Sequence, residues 1–359
     1  MIDLVIGLIH IKGDLMNWEE YKLKFYHYAI FKGKNDEYIN SCLNYAESLF
    51  KKGLPVIYDQ QHLSLLVGYE ELYLIKVSNS QELFYREFEI IKKNKIDYRT
   101  ISEPLPNLKN IQRWILREIL SKLEPSEYSK AFRPNYSIKD NAKFHKRQKK
   151  VLTIDIKNYF ESIGYNRVLV FFRNLGYNKQ VSIMLANICT LDNGLPQGAP
   201  TSPMLSNLIT KKLDRRIAGF TKKQNIRYTR YADDLTFSGD FDEGYVIRFT
   251  KSILNSEGFA INDSKTRVRL RNQRQEVTGI VVNEKMQASR SYRRDFRKEM
   301  YYIKKYGLDS HVNSINAGNI IKYLYHLLGM ANFIININPS DKETRDNFYY
   351  LKELLLKYK

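Results

Sequence analysis

Asp233 and Asp234 stand side by side in Arg-Tyr-Thr-Arg-Tyr-Ala-Asp-Asp-Leu-Thr-Phe-Ser, residues 227–238. Adjacent carboxylates repel each other unless a positive charge lies between or beside them. A divalent cation meets that need, and hard carboxylate oxygens suit Mg²⁺. Taken alone, an Asp-Asp pair is ordinarily a solvated turn, because Asp favours turns. Two other stretches change the reading. Asp155 ends the run Val-Leu-Thr-Ile-Asp, residues 151–155, whose β-branched residues predict a buried strand. A carboxylate there is costly unless it is paired or binds metal. Residues 194–203, Gly-Leu-Pro-Gln-Gly-Ala-Pro-Thr-Ser-Pro, hold two glycines and three prolines and so form an irregular, rigid loop.

Nucleotidyl transfer is the chemistry that such a set could perform. It uses two metal ions roughly 3.5–4 Å apart, one activating a sugar hydroxyl and one holding the leaving pyrophosphate. Asp155 on one strand and Asp233 on a neighbouring hairpin supply the clamp, with Asp234 beside them. The Gln197-Gly198 loop would lie over the incoming nucleotide, since a loop feeding a helix N-terminus offers N–H groups to an anion. Arg99, with Lys95 or Lys93 as further candidates, would neutralise the triphosphate. This is transfer by positioning and charge neutralisation rather than by a protein nucleophile. Phe160, five residues beyond Asp155, fits a core aromatic almost as well as a site residue.

These residues need elements to hold them. Tyr228, Thr229 and Tyr231, then Leu235, Thr236 and Phe237, predict two short strands joined by a tight turn at Ala232, Asp233 and Asp234. Ser202 is placed to cap a helix, with Pro203 in its first turn and Leu205, Leu208, Ile209, Leu213 and Ile217 on its apolar face. Upstream, Tyr38, Ile39, Cys42, Leu43, Ala46, Leu49 and Phe50 recur at helical spacing. Residues 72–77 read as a strand, and His62 reads as a structural or capping histidine. Leu108 to Leu123 carries another apolar helical stripe. Residues 249–259 look helical, 260–262 and 265–268 extended or looped, and 275–283 a hairpin or strand pair. From Ser289 the chain is helical and basic: Arg290, Arg293, Arg294, Arg297, Lys298, Lys304 and Lys305 face only Asp295 and Glu299. Residues 320–359 pack as a small helical unit.

Charge is the strongest global signal. Lys and Arg number 58 against 39 Asp and Glu, a net charge of +19, which suits a polyanionic partner. The 27 tyrosines could stack bases, though most belong to cores and hairpins. A second basic cluster, Lys143, Lys146, Arg147, Lys149 and Lys150 with Phe144 and His145 among them, is either a solvated loop or a phosphate-tracking surface. Cys42 and Cys189 make a disulfide framework unlooked-for, and a reduced cytoplasm fits. The apolar start, residues 1–10, lacks a basic flank and carries Asp3, so it is a poor signal peptide. No run reaches the length of a membrane span.

In order, Asp155-x-x-x-Tyr-Phe160, Leu195-Pro-Gln-Gly-Ala-Pro-x-Ser-Pro203 and Tyr231-Ala-Asp-Asp234 resemble the core motifs of reverse transcriptases. The resemblance implies an α+β fold, a right-hand polymerase with an antiparallel palm sheet, fingers and a helical thumb. It divides the chain into a helical and mixed region at 1–90 that adds to the fingers, fingers at 91–150, a palm at 151–283 with a fingers insertion near 164–194, and a thumb at 284–359. Phe160 matches the aromatic that excludes a ribose 2′-OH, Gln197 the residue beside the nucleotide sugar, and Lys265 a lysine near the pyrophosphate. Asn141-Ala-x-x-His145, Val277-Thr278-Gly279, Gly53-Leu-Pro-Val-Ile-Tyr58 and His62-Leu63 are similar to bacterial retron reverse transcriptases. That branch implies a cognate non-coding RNA as template, priming from a 2′-OH of an internal guanosine, a branched RNA–DNA product, dNTP substrates, and anti-phage defence with an effector (toxin) protein. Asn141, His145, Lys146, Arg147, Thr278, Arg290, Arg293, Arg294 and Arg297 become the expected RNA or DNA contacts. No RNase H, maturase or endonuclease extension is expected.

Three rival readings stand beside this one. Another defence-associated or abortive-infection reverse transcriptase would prime differently, and sequencing the copurified DNA separates the two. A non-catalytic RNA-binding scaffold would have no need of three intact aspartates. Binding to a membrane surface would account for the charge, but the basic helices lack the clean opposite apolar face that it requires.

Overall fold

The computed structural model describes residues 17–91 and 98–358. Lys92, Lys93, Lys95 and the apolar start at 1–10 lie outside the described residues. The chain forms two compact units. The first takes the described residues up to Glu127 and then Asn158–Asp214; the second takes Tyr128–Lys157 and Arg215–Lys359.

The first unit is mostly helical. Asn17, Asn35, Asp59 and Asn178 each accept a backbone N–H from the first turn of the helix they precede, which satisfies donors that the helix leaves open. The Asp36–Phe50 helix buries Ile39, Cys42, Leu43, Ala46 and Leu49, the predicted face. His62 is buried, and its Nδ1 accepts the Tyr58 N–H at 3.3 Å, a structural role. Residues 72–77 are not a strand but part of the Glu71–Asn79 helix, which buries Leu74 and Val77. Those two are three residues apart, a helical spacing, and a short apolar run does not reveal its period by itself. Strand β1 (Tyr85–Ile91) pairs antiparallel with β2 (Tyr98–Pro104), from Tyr85 opposite Pro104 to Ile91 opposite Tyr98. The helix expected after the Gly-Pro loop is two helices, Ser202–Ile209 and Lys211–Lys223. Ser202 is the first helical residue rather than the cap, and Thr201 before it makes no side-chain cap bond.

The second unit is built on a four-stranded antiparallel sheet in the order β4-β5-β3-β6. Its strands are β3 (Lys150–Lys157), β4 (Arg227–Tyr231), β5 (Asp234–Gly239) and β6 (Ala260–Leu270). Leu152, Ile154, Tyr228, Leu235 and Phe237 alternate onto one buried face. The two extended pieces expected at 260–268 are one strand with an irregular register. Thr153 pairs with Arg267 but Asp155 pairs with Asn262, so residues 263–266 bulge opposite Ile154. Short strands β7 (Glu276–Val277), β8 (Ile280–Val281) and β9 (Gln287–Ala288) form a second small sheet. Helices Arg290–Tyr306, Leu308–Ser314, Ile320–Ile337 and Lys342–Lys357 follow, and Ser289 caps the first. They share a core of Phe296, Met300, Ile303, Leu324, Leu327, Ala331, Ile334 and Leu351. The Ile320–Ile337 helix is the one described helix long and apolar enough, by length and composition, to cross a membrane. One of its faces is buried in this core.

Candidate active site

The β4–β5 connection is the two-residue turn Ala232-Asp233, so Asp234 is already the first residue of β5. Ala232 sits at φ +56°, a left-handed conformation that a small residue tolerates at a tight hairpin. The fully buried Arg230 donates from Nη1 to the Ala232 carbonyl at 3.2 Å. Pairing of β3 with β5 sets Asp155 opposite Asp234. The Ile156 N–H donates to the Asp233 carbonyl at 2.9 Å, which ties the turn to the strand that carries Asp155.

Electrostatics single out this end of the sheet. Burial pushes the Asp234 carboxyl up to about 7, with the charges of Asp233 and Asp155 adding to the rise and Lys265 opposing it. Asp155 is 6% exposed. The Lys265 ammonium donates to both of its carboxylate oxygens at 3.1 Å. The bulge in β6 carries this lysine, so the sequence neighbourhood of the aspartates did not reveal it. The donor set is all oxygen, partly buried and mutually repelling, and it has already drawn in one cation. That fits a hard divalent ion. Among the described residues no three His, Cys, Asp or Glu side chains are gathered into a ready-made cage. Repulsion among the carboxylates opposes such gathering.

A groove of about 460 Å³ runs along the same face from Asp234 and Thr236 past Thr153 to the Thr278-Gly279 turn. Arg267, Arg269 and Arg274 line it. Sequence reasoning missed all three. The signal for two of them was present, since Arg267 and Arg269 alternate along β6 and must share a face. Thr278 and Gly279 join β7 to β8 at φ +47° and +81°. A β-branched residue in that region is strained, and its Oγ1 donates to the Ile138 carbonyl at 3.2 Å.

Asn141 and His145, expected as RNA contacts, are fully buried. The two ring nitrogens of His145 lie 2.7 Å from Ser238 Oγ and 2.8 Å from Thr229 Oγ1, and Thr229 donates to Asn141 Oδ1 at 2.6 Å. Burial, and then the charges of Arg227 and Lys130, push His145 down to about 3, so it is neutral. This pair fastens the Ile138–Lys143 helix and the residues after it to β4 and β5, and neither side chain reaches a surface. Lys146 is half-buried, and Arg147 donates from Nε to the Glu284 carbonyl at 3.0 Å.

The remaining nucleotide candidates belong to the first unit. Phe160 is half-buried, whereas its neighbour Tyr159 is 3% exposed and is the core aromatic of the two. Gln197 accepts the Ser102 N–H on its carbonyl at 2.8 Å. A Cβ at Gly198 would lie 2.6 Å from the Ser102 oxygen, so the loop is seated on β2 with no room for a side chain. Arg99 is exposed on β2. The hydroxyls of Thr201 and Ser202 are buried, so this helix start does not offer them to a ligand. On the basic Arg290–Tyr306 helix, Arg290 and Arg294 are exposed, Arg293 donates to the Ala288 carbonyl at 3.3 Å, and Arg297 pairs with Glu343 at 2.7 Å.

Residues 90–290 match the family described as reverse transcriptase (RNA-dependent DNA polymerase). The chain is 35% identical over 329 residues to the retron Ec86 reverse transcriptase of Escherichia coli, covering 90% of this chain and 97% of that protein. It is 32% identical over 319 residues to the retron Mx65 reverse transcriptase of Myxococcus xanthus, covering 82% and 72%. Among solved structures, telomerase from Candida albicans in complex with a telomeric RNA fragment aligns with a TM-score of 0.42 at 12% identity, covering 79% of this chain and 68% of that one. A foamy viral protease–reverse transcriptase with double-stranded DNA aligns with a TM-score of 0.39 at 16% identity, covering 70% of this chain and 38% of that one.

Proposed function

Since the chain belongs to the reverse transcriptase family, in its bacterial retron branch, we propose that it copies a cognate non-coding RNA into a branched RNA–DNA hybrid from dNTPs. It is an RNA-directed DNA polymerase of a retron, and its α+β architecture with antiparallel sheets is that of a right-hand polymerase. The observation that carries the mechanistic reading is the pairing of Asp155 with Asp234, beside Asp233, at the head of an arginine-lined groove.

Asp155, Asp233 and Asp234 would hold two Mg²⁺ ions, which when bound supply activation of the attacking hydroxyl and charge neutralisation for the pyrophosphate. Lys265 adds positive charge at the same carboxylates, near the leaving pyrophosphate. Arg267, Arg269 and Arg274 hold phosphates along the groove, and Thr278 reads the RNA at its end. Phe160 bars a ribose 2′-OH, Gln197 and Gly198 shape the nucleotide pocket, and Arg99 meets the triphosphate. Arg290, Arg293, Arg294, Arg297, Lys146 and Arg147 follow the backbone of template and product. The enzyme acts in the cytoplasm without a membrane partner, and the hybrid serves anti-phage defence together with an effector protein. Asp233→Asn tests the core of this reading. Primer extension should fall at least a hundredfold, on the order expected for loss of a transition-state charge, while affinity for the RNA stays within about twofold. Normal extension by the variant would refute it.

A further inference from the structure

Gln197 does not hang free. Its Nε2 donates to Glu161 Oε1 at 2.6 Å, and Glu161 directly follows the half-buried Phe160. A carboxamide presents either a donor or an acceptor, according to which way its plane is turned. A carboxylate only accepts. The flipped amide would set its own oxygen against Glu161, two acceptors face to face. The bond that forms is charge-assisted, roughly twice as strong as a neutral one. Glu161 therefore takes the nitrogen end and leaves Gln197 Oε1 turned away as an acceptor.

The backbone around this pair has no slack. The Leu195 N–H donates to the Phe160 carbonyl at 3.2 Å. A Cβ at Gly194 would lie 2.8 Å from the backbone carbonyl oxygen of Glu161, closer than real contacts allow. On the other side the loop is seated on β2 through Ser102. The segment of Phe160 and Glu161 and the strand β2 hold the loop between them, all within one unit, so the backbone sets the separation across which the exposed Glu161 and half-buried Gln197 side chains meet.

We propose that Glu161 is a positioning residue for nucleotide selection, fixing the carboxamide of Gln197 so that its oxygen accepts from a hydroxyl of the incoming sugar. The proposal rests on the reading of Gln197 as the residue beside that sugar. A nucleotide without the 3′-hydroxyl would forfeit the partner, and the enzyme would discriminate against it only while the amide stays oriented.

Single-nucleotide incorporation of dGTP and dideoxy-GTP should be measured for the wild type, Glu161→Ala, Glu161→Gln, Gln197→Ala and the double alanine variant, with thermal midpoints as the control for folding. Glu161→Ala should raise KM for dGTP about tenfold with little change in kcat, the size of one net hydrogen bond, and should narrow the ratio of dGTP to dideoxy-GTP. Glu161→Gln, which keeps an acceptor oxygen but not the charge, should recover part of that ratio. The double variant should be no worse than Gln197→Ala alone. If Gln197→Ala narrows the ratio but Glu161→Ala leaves it intact, or if the two losses add, the proposal is overturned while the role of Gln197 stands. If Gln197→Ala itself leaves the ratio unchanged, the role of Gln197 fails and the proposal falls with it. A lowered thermal midpoint in Glu161→Ala with an unmoved ratio marks a merely structural contact and also overturns it.

Discussion

Lys265 shows what single residues decide here. Its ammonium sits on both oxygens of Asp155 at 3.1 Å, so it competes with any cation that Asp155 would ligate. The lysine side chain is 59% exposed, and at that solvation a unit charge about 4 Å away is worth about 1 kcal/mol. Lys265→Met should therefore tighten Mn²⁺ binding to the nucleotide-free enzyme about fivefold, by calorimetry or spin resonance, while slowing extension. Equal or weaker Mn²⁺ affinity would contradict the competition. Phe160 is the second case. It is half-buried while Tyr159 beside it fills the core, and the proposed role of its ring is to crowd a 2′-OH. An unpaired buried hydroxyl costs about 1–3 kcal/mol, roughly tenfold to a hundredfold in rate. Phe160→Val should narrow the preference for dGTP over GTP by about that factor in single-turnover incorporation. An unchanged preference in a folded variant would assign Phe160 to packing alone. Asp155, Asp233, Asp234 and Phe160 were singled out in the sequence because motif spacing marks them, and the strand pairing of Asp155 with Asp234 could be anticipated from the two strands. Lys265 was marked too, by the resemblance, but its contact with Asp155 was not, because a bulge brings it there, and Arg274 was missed because it lies on the link between β6 and β7.

At the scale of elements, the sequence announced strands and helices wherever the period was long, and failed where meaning depends on which side faces solvent. The hairpin 227–238 and the strand 151–156 formed as read. Residues 72–77 became a helix because one turn of apolar residues fits either period. Asn141 and His145 stood out as a motif, but a linear pattern cannot say that both side chains point inward. Their interior position has a consequence in acid. The folded state holds His145 near 3, whereas an unfolded histidine titrates near 6.5. Between those values the unfolded chain binds the extra proton, so this contribution to stability is complete above about pH 6.5 and is lost as pH falls toward 3. His62, pushed down to about 4 mainly by burial, acts with the same sign. His145→Gln should be less stable than the wild type at pH 8 by about 1–3 kcal/mol through its unmet hydrogen bonds, but should lose less on going to pH 5. Thermal midpoints at the two pH values check this, and parallel losses in both proteins would exclude the histidine.

For the whole molecule, the charge of +19 was the clearest sequence signal of a nucleic-acid partner. The structure shows how unevenly that charge is available. Arg297 is paired with Glu343 at 2.7 Å and Arg293 leans on a carbonyl, whereas Arg290 is exposed and the exposed Arg294 has only a looser pairing with Asp295 at 3.7 Å. Removing a side chain that neutralises one phosphate should flatten the dependence of log K on log salt by roughly 0.7–0.9. Arg290→Ala and Arg294→Ala should each do so in RNA-binding titrations across salt, and Arg297→Ala should do so less. Slopes unchanged in the first two would take this helix off the backbone path. The chain also enters each unit twice, leaving the first at Glu127, re-entering at Asn158 and leaving again at Asp214. Domains ordinarily fold as they emerge from the ribosome, N-terminal first. Here a nascent chain that has just released β3 holds the larger part of one unit and a fragment of the other. The first unit can close only once residue 214 has emerged, and β3 must wait, unpaired and rich in β-branched residues, until β5 and β6 have been made.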